Sequence, residues 1–217
     1  MNSSLPQPRP GAREQIKRAA RNLFAERGID GVTVREIVEA SGQKNHGSLS
    51  YYFGTKEALV RELVADGAGL INLRRHAMLD QLEGSQAGFG IREVVEVLVY
   101  PSIHLTDEQG EEDHGYVRFI TLLSMSHRRL FMEALEEGLN SGYLRCLEHL
   151  RRLMPEIPAA ERNQRFIFIN VYLNGVISAR EAALAEHTRA QRSWASEYTT
   201  RHFIHTLTAI LEAPPSL

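Results

Sequence analysis

Nine histidines and one cysteine are the side chains of this 217-residue chain most easily turned to metal or covalent chemistry. Their spacing argues against both. His202 and His205 stand three apart, a helical spacing that could hold a metal, but two exposed histidines are the commoner arrangement. His114 (after Asp113), His127 and His149 are scattered. No His-Glu-x-x-His, Gly-x-Ser-x-Gly, Walker phosphate loop or Gly-x-Gly-x-x-Gly occurs. The single cysteine, Cys146, excludes an intramolecular disulfide and a zinc site built on several thiolates. Arg145 beside it would lower its pKa and suit redox sensing; a buried, inert thiol is the simpler expectation. No enzyme, metal or cofactor is expected.

A second group of residues suits polyanion recognition. Gln43, Lys44, Asn45, His46, Ser48 and Tyr51 lie within nine positions and offer donors, acceptors and one cation to base edges or phosphates. Asn45 has the simpler alternative of capping a helix. Thr33 and Arg35, slightly upstream, open another short helix: Thr33 caps it and could touch phosphate, while Arg35 is exposed in its first turn. Charge is distributed to match. Residues 1–61 carry ten Lys/Arg against six Asp/Glu, and the remainder fifteen against twenty-one, so a basic head precedes an acidic body in a chain of net charge −2.

Positioning such a cluster requires short helices. Composition is ordinary for a globular protein (43% hydrophobic, 24% charged), which excludes wholesale disorder and fibrous repeats. Residues 1–11 are proline-rich and read as a flexible arm, with Arg9 and Arg13 able to reach a minor groove. No apolar run suits a signal peptide or a membrane span, so a cytoplasmic chain is expected. From Arg13, the residues Ile16, Ala19, Ala20, Leu23 and Phe24 repeat at helical steps until Gly28. Thr33 and Glu36 form a capping box for a helix ending near Ser41-Gly42. A third helix, capped by Asn45, turns Leu49, Tyr52 and Phe53 inward. His46, Gly47, Ser50 and Tyr51 fall on its other sides. Two short helices joined by a glycine-containing turn describe a helix-turn-helix. A helix from Thr55 to Leu82 follows, in which Gly67 and Gly69 could localise a bend. Ile91–Leu105, Asp113–His127, Arg129–Met154, Ala159–His187 and Ser193–Leu211 are the remaining helical stretches, with an acidic loop over 106–112. The fold class expected is all-α with about nine helices.

The stretch Arg13 to Leu63 resembles the DNA-binding head of the tetracycline-repressor (TetR) family. The resemblance is carried by Ala19-Ala20-Arg21-Asn22-Leu23-Phe24-Ala25-Glu26-Arg27-Gly28, by Gly31-Val32-Thr33-Val34-Arg35-Glu36-Ile37-Val38-Glu39-Ala40-Ser41-Gly42, and by Leu49-Ser50-Tyr51-Tyr52-Phe53-Gly54-Thr55-Lys56-Glu57-Ala58-Leu59. Here Gly42 is followed by six residues before Leu49, where many members have four, so the turn is longer; Ser50 replaces the usual first aromatic. The resemblance implies that Lys56 contacts a phosphate. It divides the chain into a helix-turn-helix domain at 12–58 and a regulatory and dimerisation body at 59–217. It implies a transcriptional regulator, as a repressor released from a palindromic double-stranded DNA operator by a small molecule. An activator, or a DNA-binding protein with no small-molecule inducer, is the alternative.

The body carries the remaining expectations. Phe166 to Ser178 is apolar nearly all round, so it must be covered on more than one face. A homodimer through the last two long helices, as the resemblance implies, would use Phe166, Ile169, Leu173, Ile177, Phe203, Leu207 and Ile210. Asn170 and Asn174, one helical turn apart, either bond across that dimer or line a cavity for the small-molecule effector. His104, Tyr116, Phe119, Ile120, Leu123 and Tyr143 are the other candidate cavity residues.

Overall fold

The computed structural model describes residues 11–45, 47–106, 115–135, 138–186 and 190–215. The expected arm, except Gly11, and the acidic loop, except Thr106, therefore lie outside the described residues, as does His46. Among the described residues there are eleven α-helices and no strand. No described helix is long and apolar enough to cross a membrane.

Three helices build the head. Helix α1 (Ala12–Arg27) buries Ile16, Ala20 and Phe24 and stops at Gly28. Helix α2 (Val34–Ala40) begins at the expected capping box: Glu36 N donates to Thr33 Oγ1 at 3.3 Å, and Thr33 N donates to Glu36 Oε2 at 2.7 Å. The bond from Thr33 N, a second from the Thr33 hydroxyl and one from Arg27 pull the Glu36 carboxyl down to about 2. Helix α3 (Ser48–Phe53) is held by Leu49, which is fully buried. It starts later than expected, because Asn45 caps no helix. Its Oδ1 accepts from Gly47 N and its carbonyl accepts from Ser48, a local turn that precedes the helix. Gly42 sits in the α2–α3 connection with φ +71, a value that a side chain with a Cβ adopts only at a cost.

Helix α4 (Lys56–Gly84) leaves the head and becomes the spine of the body, burying Leu59, Leu63, Ile71 and Leu79. Around it pack α5 (Ile91–Ile103), α7 (Arg128–Ala134) and α8 (Ser141–Leu153). Helix α6 (Tyr116–Ser126) lies between α1 and α9 (Ala159–Ala185); the short α10 (Ala190–Trp194) and α11 (Glu197–Glu212) close the body. Several expected boundaries move. The stretch expected as one helix from Arg129 to Met154 is two, since Gly138 and Asn140 are weak helix formers. The last stretch divides at Ala195-Ser196, where the Ser196 hydroxyl caps α11. The valine-rich α5 is helical despite its β-branched residues. Val94, Val95, Val97 and Val99 are all buried, and removing each from water contributes about 1.5–3 kcal/mol, more than their propensity costs.

Gly67 has a packing role in α4. A Cβ there would stand 2.1 Å from Cε2 of Tyr116, whose ring packs on the helix at this glycine while its hydroxyl donates to Val64 O at 2.9 Å. The glycine is the seat that lets α6 approach α4. We expect Gly67→Ala to lower the unfolding free energy by about 1–2 kcal/mol in denaturant titrations, because displacing the ring outweighs the roughly 1 kcal/mol gained in helix propensity. An unchanged or raised midpoint would contradict this packing.

Candidate nucleic-acid interface and body cavity

The head presents a compact polar surface. Tyr51 is 83% exposed on α3, and Ser50, Gly47, Asn45 and Lys44 are exposed around it. Tyr52, expected inward, is exposed and meets Tyr51 edge-on. A six-residue helix pinned by Leu49 and half-buried Phe53 has no room to bury a third large ring. Arg35 is exposed and paired with Glu39 at 2.7 Å, one helical turn on. Ser48 is half-buried and donates to Asn45 O, and Gln43 donates its amide to Gln15 Oε1 at 2.7 Å. Thr33 is engaged twice with Glu36. Lys44 and Tyr51 are thus the expected residues that extend furthest from internal bonding, with His46 outside the described residues.

Two basic residues are placed differently from expectation. Lys56 Nζ donates to Ile29 O at 2.8 Å and Val32 O at 2.9 Å, so it fastens the α1–α2 connection onto α4. One of its three donors is left for a phosphate. Arg13 is no arm: it lies in α1, bonds Glu62 and stacks over the Phe53 ring at 5.0 Å. Lys17 is likewise held by Glu62 and Asp66 across α1 and α4. Much of the head's basic excess therefore closes its own helix junction.

The body holds a cavity of about 260 Å³ between α4, α6, α7, α8 and α9. Tyr116, Ile120, Tyr143, Asn170 and Asn174 line it as expected, and Asn174 donates to Asn170 Oδ1 within one helix. Phe119 and Leu123 do not line it. They sit on the opposite side of α6, fully buried, with Phe119 stacked on Phe24 of α1 at 5.8 Å. His104 is exposed beyond the end of α5, stacked on Tyr100. Arg75 and Arg128 also line the cavity, and neither was anticipated. The signal was there in Arg75: a cation on the inward side of a helix whose other inward residues are apolar. A larger hollow of about 440 Å³, on the head beside α1, has walls that are mostly polar: Gln15, Arg18, Asn22, Glu26 and Ser41.

The expected dimer residues lie mostly inside one chain. Phe166, Ile169, Leu173 and Ile177 of α9, with Phe203 and Leu207 of α11, are all buried within the protomer; Ile210 is half-buried. The side of α9 left open carries Ile167, Phe168 and Val171, each about 60% exposed. Both faces of this helix are apolar, so periodicity alone could not say which one the chain covers itself. Cys146 is fully buried and its thiol is pushed up to about 11 by desolvation, against the pull of Arg75 and Arg145. It is an inert thiol at neutral pH. His202 and His205 are exposed and stacked, and no cluster of three potential metal ligands exists among the described residues.

Residues 16–63 match the model of the bacterial regulatory proteins of the tetR family. The HTH-type transcriptional repressor KstR2 of Rhodococcus jostii is 30% identical over 152 residues, covering 62% of this chain and 69% of that one. The chain belongs to the TetR family. Another TetR-type relative, the HTH-type transcriptional repressor AcnR of Corynebacterium efficiens, is 42% identical over 57 residues, which span 26% of this chain and 30% of AcnR. The crystal structure of NalD, the secondary repressor of the MexAB-OprM multidrug efflux pump in Pseudomonas aeruginosa, superposes with a TM-score of 0.57. It covers 93% of this chain and 98% of NalD at 16% identity, a likeness of fold. This TetR-family chain is a DNA-binding transcriptional regulator, and α2 with α3 is its helix-turn-helix.

Proposed function

We propose that this regulator is a repressor that binds a palindromic operator as a homodimer and is released when a small molecule fills the body cavity. It divides into a DNA-binding domain at 12–58 and a regulatory and dimerisation body at 59–217. It acts in the cytoplasm, where its DNA is, and works by binding alone, without catalysis. The observation that carries this reading is the position of α6. One side of that helix walls the cavity with Tyr116, Ile120 and Ser124, while the other stacks Phe119 on Phe24 of α1. His127, at its C-terminal end, bonds Asp30 of the α1–α2 connection at 2.8 Å. A ligand that shifts α6 or α4 therefore changes how the head is held. A packed helix moves as a unit, so the shift available is set by how much better the ligand binds the released arrangement.

The exposed Ile167, Phe168 and Val171 support dimerisation through α9. Two heads on such a dimer would read half-sites about 34–36 Å apart, or a multiple of that. The test is selection of bound sequences from a random duplex library at physiological salt, with wild type beside Lys44→Ala and Tyr51→Ala. A palindrome is expected from wild type. Each variant should bind it about tenfold more weakly or worse, the scale of one lost phosphate or base contact. A folded, dimeric protein that enriches no palindrome would overturn the operator reading.

A further inference from the structure

The cavity contains a cation that no carboxylate among the described residues balances. Arg75 projects from α4, and its Nη2 donates to Leu98 O at 3.2 Å and Ser102 Oγ at 3.4 Å. Its Nε is buried without a hydrogen-bond partner, and no acceptor among the described residues engages Nη1. The guanidinium faces the Tyr143 ring at 5.7 Å. Of five N–H donors, three are left unused. The acidic groups nearest to it are Cys146, Tyr143 and Tyr116, and desolvation pushes all three upward, so all three are neutral at physiological pH. Among the described residues no Asp or Glu forms an ion pair with Arg75, and none lines the cavity. Burial holds the guanidinium's own pKa below the usual arginine range, the mark of a charge removed from water without a counter-charge.

Ile71, Ile120, Phe131, Leu135, Leu139 and Leu173 form an apolar part of the wall, beside neutral polar side chains such as Ser102, Thr121, Asn140, Asn170 and Asn174. The cavity volume of about 260 Å³ lies at the lower end of the range for small-molecule sites, so the occupant is compact. The buried guanidinium of Arg75 balances one negative charge. Resting on the reading of this cavity as the effector site, we propose that the effector is a compact amphiphilic carboxylate. Its carboxylate accepts from Nη1 of Arg75 and its hydrocarbon body lies against Ile71, Ile120, Phe131 and Leu135. Such a ligand joins α4, which continues into the head, to α6, which stacks on it. Arg128, exposed at the edge of the cavity, would draw anions toward it.

The test uses the full chain and two probe acids, octanoate and phenylacetate, each beside its methyl ester, with octylamine as the cationic counterpart. Binding is measured by calorimetry and by thermal shift. At least one acid is expected to bind wild type, its ester to bind at least about tenfold more weakly, and the amine not at all. Arg75→Met, neutral and of similar reach, is expected to lose about tenfold to a hundredfold in acid affinity, the range for a hydrogen bond to a charged group. Its own melting temperature should not fall, because the variant removes an unpaired buried charge. The acid–ester comparison is made on wild type and so stands even if the variant does not fold. Esters that bind as well as acids, or acid affinity retained in Arg75→Met, would overturn the carboxylate assignment and leave the cavity as an effector site. Failure of acids, esters and amine alike would overturn the assignment and the effector site together.

Discussion

Replacing Phe119 by alanine is expected to lower the unfolding free energy by about 3–5 kcal/mol, a large share of the 5–15 kcal/mol typical of a domain. The ring is fully buried on α6, stacked on Phe24 at 5.8 Å and set edge-on to Tyr116 at 6.5 Å. Its loss combines the transfer free energy of the side chain, the aromatic contacts and the void that remains. That void cannot close easily. Gly115 already brings α6 against Ala25, where a Cβ would meet its neighbour at 3.1 Å, and Tyr116 seats the helix on Gly67 of α4. Denaturant titration gives the number directly; a loss below about 1 kcal/mol would show that α1 and α6 are not packed as described. The variant also bears on coupling. With Phe119 gone, the head keeps its own helices and its Lys56 fastening but loses the ring that ties it to α6. Operator affinity should then respond less to anything bound in the cavity.

The head was legible because its signals are local. The capping box at Thr33 and Glu36, the stop at Gly28 and the anchor at Leu49 each act within a few residues, and each is found where the sequence puts it. The body was legible as helices and not as surfaces. Phe119 and Ile120 are adjacent in the chain and equally apolar, yet one stacks on the head and the other walls the cavity. In α9 the apolar residues run round the helix. Phe166, Ile169, Leu173 and Ile177 turned out to be covered by the chain itself, while Ile167, Phe168 and Val171 are left open. Which face meets which neighbour is decided by packing partners tens of residues away, and no single-sequence period encodes them. The same holds for Lys56. Its position suits a phosphate, and nothing in the sequence shows that it also bonds the carbonyls of Ile29 and Val32. Arg75 breaks the apolar inward side of α4 in the sequence, but that it meets no carboxylate among the described residues is seen only in three dimensions.

Stability should also depend on pH through Glu181. Its side chain is 3% exposed on α9, and its two oxygens accept from Val117 N at 3.0 Å and Arg118 N at 2.7 Å. It thereby caps α6, whose own N-cap residue, Gly115, offers no side chain. Burial pushes the carboxyl up to about 7, against the opposing pull of those two N–H groups and of Arg180 and Arg21. A carboxyl whose pKa is raised on folding keeps its proton where the unfolded chain has lost it. Between about 4.5 and about 7 the native state therefore binds more protons, and stability falls as pH rises through that window. The stabilisation is complete below about 4.5 and gone above about 7, with an upper size of about 3 kcal/mol. Glu181→Gln keeps one acceptor for the helix end and removes the titration. Measured by urea unfolding from pH 5 to 8, wild type should lose stability relative to this variant as pH rises, and the difference should level off above neutrality. Parallel curves would show that the carboxyl is already ionised in the native state at pH 5. The capped end of α6 also carries Tyr116 and Val117, which wall the cavity.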